Sequence, residues 1–432
     1  MAFEQIIHKH ATDIVAGIPS GSTKTKYQTA LTQLRLPYWD WAAKLTPIVP
    51  TSVSAPTISV TYPNNGTRAT ISNPLYSYKF HPIDKTQIMG EPFEYWNETK
   101  RQPTSSDINA VSQPSLVETA LAEDIPSIRN TLYNLLSTYQ TYNEFSSYGS
   151  GLGFGSIEGI HGSIHVFAGG NYGHMTGVPW SGFDPMFFLH HNNVDRQLAL
   201  FQYIYPNTYV EAHENGPTFT IESGSIQDAN SPLTPFHSNT QGAFFTSNSA
   251  RNVRNWGYTY PELVGNPSNA TLRAKINTLY GSSTTSLKKR AEEDSSSDAP
   301  RAYLTEVKIP VNGAQYSVRV SVDGTYVGSH NTVARPNIVD TGMVNTGSID
   351  LTQILKKKFD DGKLKSLDSE TVVAFLKDGL TYIVKEAGAE IPAESVKGLD
   401  VKVVSTEVVP PKTDSDFPEW VGGFVDHDEV TK

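Results

Sequence analysis

Apolar positions that recur three or four apart mark the first part of this chain as helical. Phe3, Ile6, Ile7, His10 and Ile14 predict an amphipathic helix over 3–16, with His10 turned inward and His8 pointing elsewhere. A short helix is expected over Tyr27–Leu34. Ile128, Leu132, Leu135, Leu136 and Tyr139 make an apolar stripe that predicts a helix over 126–145. A later helix is announced by Asp184 as a cap, Pro185 at the first helical position and an aromatic-rich run continuing to about Tyr205. Between these, residues 46–115 are rich in Pro, Ser, Thr and Asn and read as a loop-rich excursion with short strand-like pieces such as Ser59-Val60-Thr61. Residues 206–255 read as irregular.

The pattern changes after residue 303. Glu306-Val307-Lys308-Ile309, the run Tyr316–Val322 and Val401-Lys402-Val403-Val404 alternate as strands do. A helix is expected near 349–358 and helical turns near 370–378. The fold class that follows is multi-domain: a mainly α core, a helical bundle with long loops, then a C-terminal β-sandwich-like domain. The expected divisions are a core over 1–280, a linker over 281–302 and the β-domain over 303–432. The linker runs through a Gly-Ser-Thr tract, then Lys288-Lys289-Arg290, then an acidic serine-rich run that cannot bury a core. Its basic triplet is a candidate cleavage site for a processing protease.

Composition narrows the function. At 432 residues two domains are expected. The formal net charge of −10 disfavours nucleic acid or an anionic membrane as partner. No run of eighteen apolar residues predicts a membrane span. The N-terminus shows no signal-peptide pattern, so a cytoplasmic or other intracellular location is expected. There are no cysteines, hence no disulfide framework.

The chemistry lies in residues 158–196, which hold five of the twelve histidines. His161 and His165 are four apart, so on a helix both rings share one face. His190 or His191 must supply a third nitrogen from the second helix. Adjacent helical positions point about 100° apart, so one of the two faces the metal. Asp195 lies four residues after His191, where a carboxylate can orient its imidazole. His191 is therefore the expected ligand, with His190 packed or hydrogen-bonded elsewhere. Three imidazoles suit copper, zinc, iron or nickel, so their number alone does not choose the metal.

The combination of His161-x-x-x-His165 with the run from Phe183 through Asp184-Pro185 to His190-His191 and Asp195-Arg196 resembles the second copper-binding segment of tyrosinases, catechol oxidases and related type 3 copper proteins. Leu36-Pro37-Tyr38-Trp39-Asp40-Trp41 is similar to the family's segment between the two copper half-sites. Asn73–Tyr78 and Tyr258-Thr259-Tyr260-Pro261-Glu262-Leu263 resemble the fungal branch. Residues 303–432, with Val327-Gly328-Ser329-His330, resemble the fungal C-terminal shielding domain, without the Cys-x-x-Cys pair many relatives carry. That domain also disfavours an oxygen carrier of the haemocyanin kind.

The resemblance implies copper-dependent oxidation of o-diphenols, and in some members monophenols, to o-quinones with dioxygen, as in melanin-type pigment formation. It implies copper as cofactor, two ions per site in the family, with a small phenol and dioxygen as partners. It implies that Phe187 stacks on the bound ring, that Val178 controls access and that Glu158 holds a water able to help remove a phenol proton. Relatives strong in phenol hydroxylation often carry Asn after the first of these histidines; here it is Gly162, which favours catechol oxidation. In the family, Phe-Glu-Gln follows the first copper-binding segment, whereas here Phe3-Glu4-Gln5 opens the sequence. The expectation is at most one copper, bound by His161, His165 and His191, and impaired activity. The alternative is a non-catalytic, single-metal remnant.

Overall fold

Helix Pro114–Thr138 is the axis around which the first 280 residues pack. Leu121, Leu132, Leu135 and Leu136 on it are fully buried. This helix starts earlier and ends sooner than the expected 126–145. Pro126 sits inside it rather than opening it. At the other end Tyr139 turns extended, and a separate turn, Tyr142–Ser146, begins at a Thr141–Glu144 capping box. The structure is a computed structural model describing residues 2–150, 153–214, 218–281, 300–336 and 342–431.

Two helices carry the histidines: Ile157–Gly169, capped by Ser156, packs against this axis, and Met186–Ile204 packs in turn on Ile157–Gly169. Helix Asn269–Tyr280, capped by Ser268, closes the bundle, burying Leu272, Ile276 and Tyr280. Trp39 and Trp41 are buried in the same core. The excursion over 46–115 contains one hairpin, Thr57–Thr61 with Arg68–Ser72, and a small cluster around Ile88, Phe93 and Trp96. Short strands and turns also occur within 206–255, where His213 and His237 are exposed.

The N-terminal helix spans Ala2–Ala16, but its orientation corrects the expectation. Ile6, Ile7 and Ile14 are exposed, and so is His10. Glu4 and Val15 are the residues turned inward. Glu4 accepts a hydrogen bond from the Leu36 N–H at 3.2 Å, and Phe3 stacks on Phe188 with centroids 3.6 Å apart. Periodicity marks a helix; it does not decide which side finds a partner when a buried carboxylate can cap a neighbouring strand of chain.

The C-terminal part contains two four-stranded antiparallel sheets. One runs Val344–Asp350, Arg301–Pro310, Asp400–Val409, Glu419–Asp426; the other Ala389–Ile391, Leu380–Glu386, Tyr316–Val322, Thr325–Asn331. Tyr316–Val322 alternates buried and half-buried positions, the pattern of a strand with one face on a core. The helices fall at Thr352–Asp360 and Ser369–Gly379; residues 349 and 350, expected as helix, complete a strand. Arg301 and Ala302, expected as linker, already belong to the first sheet. Lys288-Lys289-Arg290 lies outside the described residues. Leu304 and Val404 join the helical core, so the sheet is packed directly onto the bundle. No helix among the described residues is long and apolar enough to cross a membrane.

Candidate metal centre

Four imidazoles meet between helices Ile157–Gly169 and Met186–Ile204: His161, His165, His190 and His191, with one ring nitrogen from each lying within 4.8 Å of the others. Among the described residues this is the one such cluster of metal-binding side chains. His161 and His165 face the same way because they are one helical turn apart. The second helix is fixed at its start by Asp184, whose Oδ1 accepts the Met186 N–H at 2.9 Å. Pro185 stands just before the helix rather than at its first position.

The Nε2 atoms of His161 and His165 each lie 3.2 Å from Nε2 of His191. Two metal–nitrogen bonds of about 2.0–2.1 Å at a tetrahedral angle would separate their nitrogens by roughly 3.3 Å. His161 Nδ1 lies 3.3 Å from the Glu158 carbonyl, and His165 Nδ1 lies 2.6 Å from the Met175 carbonyl. A carbonyl only accepts, so both Nδ1 atoms carry the proton and both Nε2 atoms present a lone pair. His191 Nε2 can donate one hydrogen at most, so the convergence leaves lone pairs that a cation satisfies. Burial pushes all three rings down to about 3, the neighbouring imidazoles adding to it, so they are neutral ligands at ordinary pH.

His190 joins the cluster more closely than expected, though it is also hydrogen-bonded elsewhere: its Nδ1 accepts from Trp41 Nε1 at 3.1 Å. Asp195 does not occupy the role expected of it. Its Oδ2 accepts from the hydroxyls of Tyr258, at 2.7 Å, and Tyr260, at 2.6 Å. The Asp195 carboxylate is thus drawn to the tyrosines, which links the metal helix to the 258–260 segment. Arg196, next along, is buried among Asp40, Glu262, Asn193 and Tyr280.

Phe187 stacks on His191, with centroids 3.8 Å apart and an angle of 22°. Glu158 directs its carboxylate at the Tyr148 N–H (3.3 Å) and towards Arg335 (3.9 Å), and burial raises its pKa. Val178 is half exposed, and its N–H donates to the Ala334 carbonyl at 3.2 Å. A Cβ on Gly162 would lie 3.7 Å from the Val333 side chain. Val333–Arg335 of the C-terminal part therefore runs beside the first histidine helix and Val178.

Sequence reasoning did not place His174. It is fully buried among Phe80, Phe93 and Trp96, and its Nδ1 accepts the Lys100 N–H at 3.0 Å. The Trp41 contact with His190 was equally unforeseen, although both residues lie in segments the sequence singles out.

Comparison with known proteins gives two family matches. The common central domain of tyrosinase matches residues 1–204, and the tyrosinase C-terminal domain matches residues 306–403. A tyrosinase of Podospora anserina is 31% identical over 302 residues, covering 65% of this chain and 51% of that protein. Polyphenol oxidase 2 of Agaricus bisporus is 32% identical over 270 residues, covering 61% of this chain and 47% of that protein. The chain spans about half the length of these curated relatives. A crystal structure of latent and active mushroom tyrosinase shares the fold, with a TM-score of 0.82 and 23% identity over 99% of this chain and 82% of that one.

Proposed function

This chain belongs to the tyrosinase family, and we propose that His161, His165 and His191 hold a single copper ion in it. The observation that carries this reading is the meeting of three Nε2 atoms, two of them with lone pairs freed by carbonyl contacts at Nδ1. Copper bound there supplies the electron exchange between dioxygen and a phenol that the family performs. The reaction of the family is oxidation of o-diphenols, and in some members monophenols, to o-quinones.

The chain's own residues would serve that chemistry as follows. Phe187 supports the His191 ring and offers an aromatic edge to a bound phenol. Glu158, near the first histidine, is the carboxylate available to hold a water and receive a phenol proton. Val178 guards the approach. Val333–Arg335 lies against Val178 and Glu158 and so shields the site. Cutting at Lys288-Lys289-Arg290 would loosen that shield.

A second reading is favoured by the count of clusters. Among the described residues one histidine cluster is present, which suits one ion and not a pair. Taken alone, the chain is then a single-metal protein with little oxidase activity. Elemental analysis of the copper-loaded chain, with oxygen uptake on catechol, separates the two. One copper per chain with negligible uptake supports the single-metal reading; uptake well above free copper supports the oxidase. Two coppers per chain, or none, would overturn the proposed site.

A further inference from the structure

We infer that Trp41 decides which member of the His190-His191 pair binds the metal, by occupying the lone pair His190 would otherwise have free to exchange. The inference rests on the metal centre proposed above. Distance alone does not separate the four imidazoles, since all four offer a nitrogen within the same 4.8 Å. Their hydrogen bonds do separate them.

Trp41 Nε1 and His190 Nδ1 are 3.1 Å apart, and both residues are fully buried. An indole N–H is a donor and never an acceptor. Nδ1 of His190 must therefore present its lone pair to Trp41, and the neutral ring carries its hydrogen on Nε2. That leaves Nε2 of His190 carrying the hydrogen, without a lone pair for a metal. His161 and His165 have the opposite arrangement, with Nδ1 against carbonyls and Nε2 open.

The segment that carries the indole is anchored beside the histidine pair. Trp39 N–H donates to the Leu189 carbonyl at 3.0 Å, Trp39 Nε1 to the Ile48 carbonyl at 2.8 Å, and Asn192 Nδ2 to the Leu36 carbonyl at 2.8 Å. Segment Leu36–Trp41 is thus fastened to the metal helix on both sides of the histidine pair. Trp41 is a positioning residue: it touches no substrate and acts through His190.

The test uses the full chain loaded with one equivalent of Cu(II), read by electron paramagnetic resonance with nitrogen hyperfine analysis. The parent should show three imidazole nitrogens. His190→Asn keeps an acceptor near Nδ1 for the Trp41 N–H, so it should keep the parent spectrum, whereas His191→Asn should lose a nitrogen. Trp41→Phe frees Nδ1, and the spectrum should become mixed or gain a nitrogen, with copper affinity falling about 10-fold. Adding His190→Asn to Trp41→Phe should restore the three-nitrogen spectrum, which a merely structural role for Trp41 would not do. A lost nitrogen in His190→Asn overturns the inference, and so does a parent-like spectrum in Trp41→Phe. If Trp41→Phe does not fold, His190→Asn decides alone. A parent that takes up no copper brings down the metal centre itself and this inference with it.

Discussion

Arg101 and Asp184 form a fully buried ion pair at the point where the second histidine helix begins. Arg101 Nε reaches Oδ2 at 2.9 Å and Nη2 reaches Oδ1 at 2.6 Å, while the same Oδ1 accepts the Met186 N–H. Side-chain exposure is 5% for the arginine and 0% for the aspartate. Nη1 also donates to the Val53 carbonyl and Nη2 to the Leu75 carbonyl. One arginine thus ties the loop-rich excursion to the start of the helix bearing His190 and His191.

Removing one partner leaves a charge stranded out of water. Arg101→Met is expected to lower stability by about 3–5 kcal/mol. Urea denaturation of the metal-free chain measures it. A loss below about 1 kcal/mol, the range of exposed pairs, would show that water reaches Asp184.

Asp124 gives a pH dependence. It sits on helix Pro114–Thr138, and its Oδ1 accepts from Tyr326 Oη, Ser329 N–H and Ser329 Oγ on a strand of the C-terminal part. Burial pushes its carboxyl up from 3.8 to about 6, against the opposing pull of those bonds and of Arg319. Between those values the folded chain binds a proton that the unfolded chain has released. Its contribution to stability is therefore full below pH 4, declines as pH rises to about 6, and is constant above. Asp124→Asn keeps an acceptor at Oδ1 and removes the titration. The variant should match the parent near pH 4 and exceed it by about 2–3 kcal/mol at pH 7.5. Denaturation midpoints across that range check it; a difference that does not change with pH would contradict it.

Gly347 lies in strand Val344–Asp350 directly beneath the His330 ring, where an added methyl group would overlap the imidazole. His330 is buried and bound to Asn345 Oδ1 at 3.1 Å, so it has little room to yield. Gly347→Ala should cost about 1–3 kcal/mol. Thermal denaturation measures this, and an unchanged midpoint would mean the ring swings aside freely.

These positions show what the sequence makes legible. His161 and His165 could be paired from their spacing, because one helical turn fixes both rings on one face. Tyr316–Val322 could be read as a strand, because alternation reports a half-buried sheet. Partners far apart in the chain leave no such trace: Arg101 and Asp184 are 83 residues apart, and Trp41 and His190 are 149 apart. Asp195 looked suited to His191 by spacing, yet two tyrosine hydroxyls some 63 and 65 residues later compete for it. His10 had the right periodicity and the wrong side, since a stripe does not say which face is covered.

Copper should act as a folding ligand here, because the donor set meets only in the folded chain. At free copper one hundred times the dissociation constant, binding to the folded state alone adds about 2.7 kcal/mol. The twelve histidines also bind copper when unfolded, so the observed gain is somewhat smaller. The three ligands contribute in different ways. His165 is the most constrained, its Nδ1 held at 2.6 Å by the Met175 carbonyl, so His165→Gln should abolish most of the gain. Metal-free stability should fall as well, by about 1–3 kcal/mol, because the glutamine amide does not reach the Nδ1 position and the Met175 carbonyl loses that donor. Zinc should stabilise the parent too, but less, as imidazole sites prefer copper among divalent ions. Denaturation with and without each metal reads all three effects. Equal stabilisation of parent and His165→Gln would mean the copper sits elsewhere on the chain.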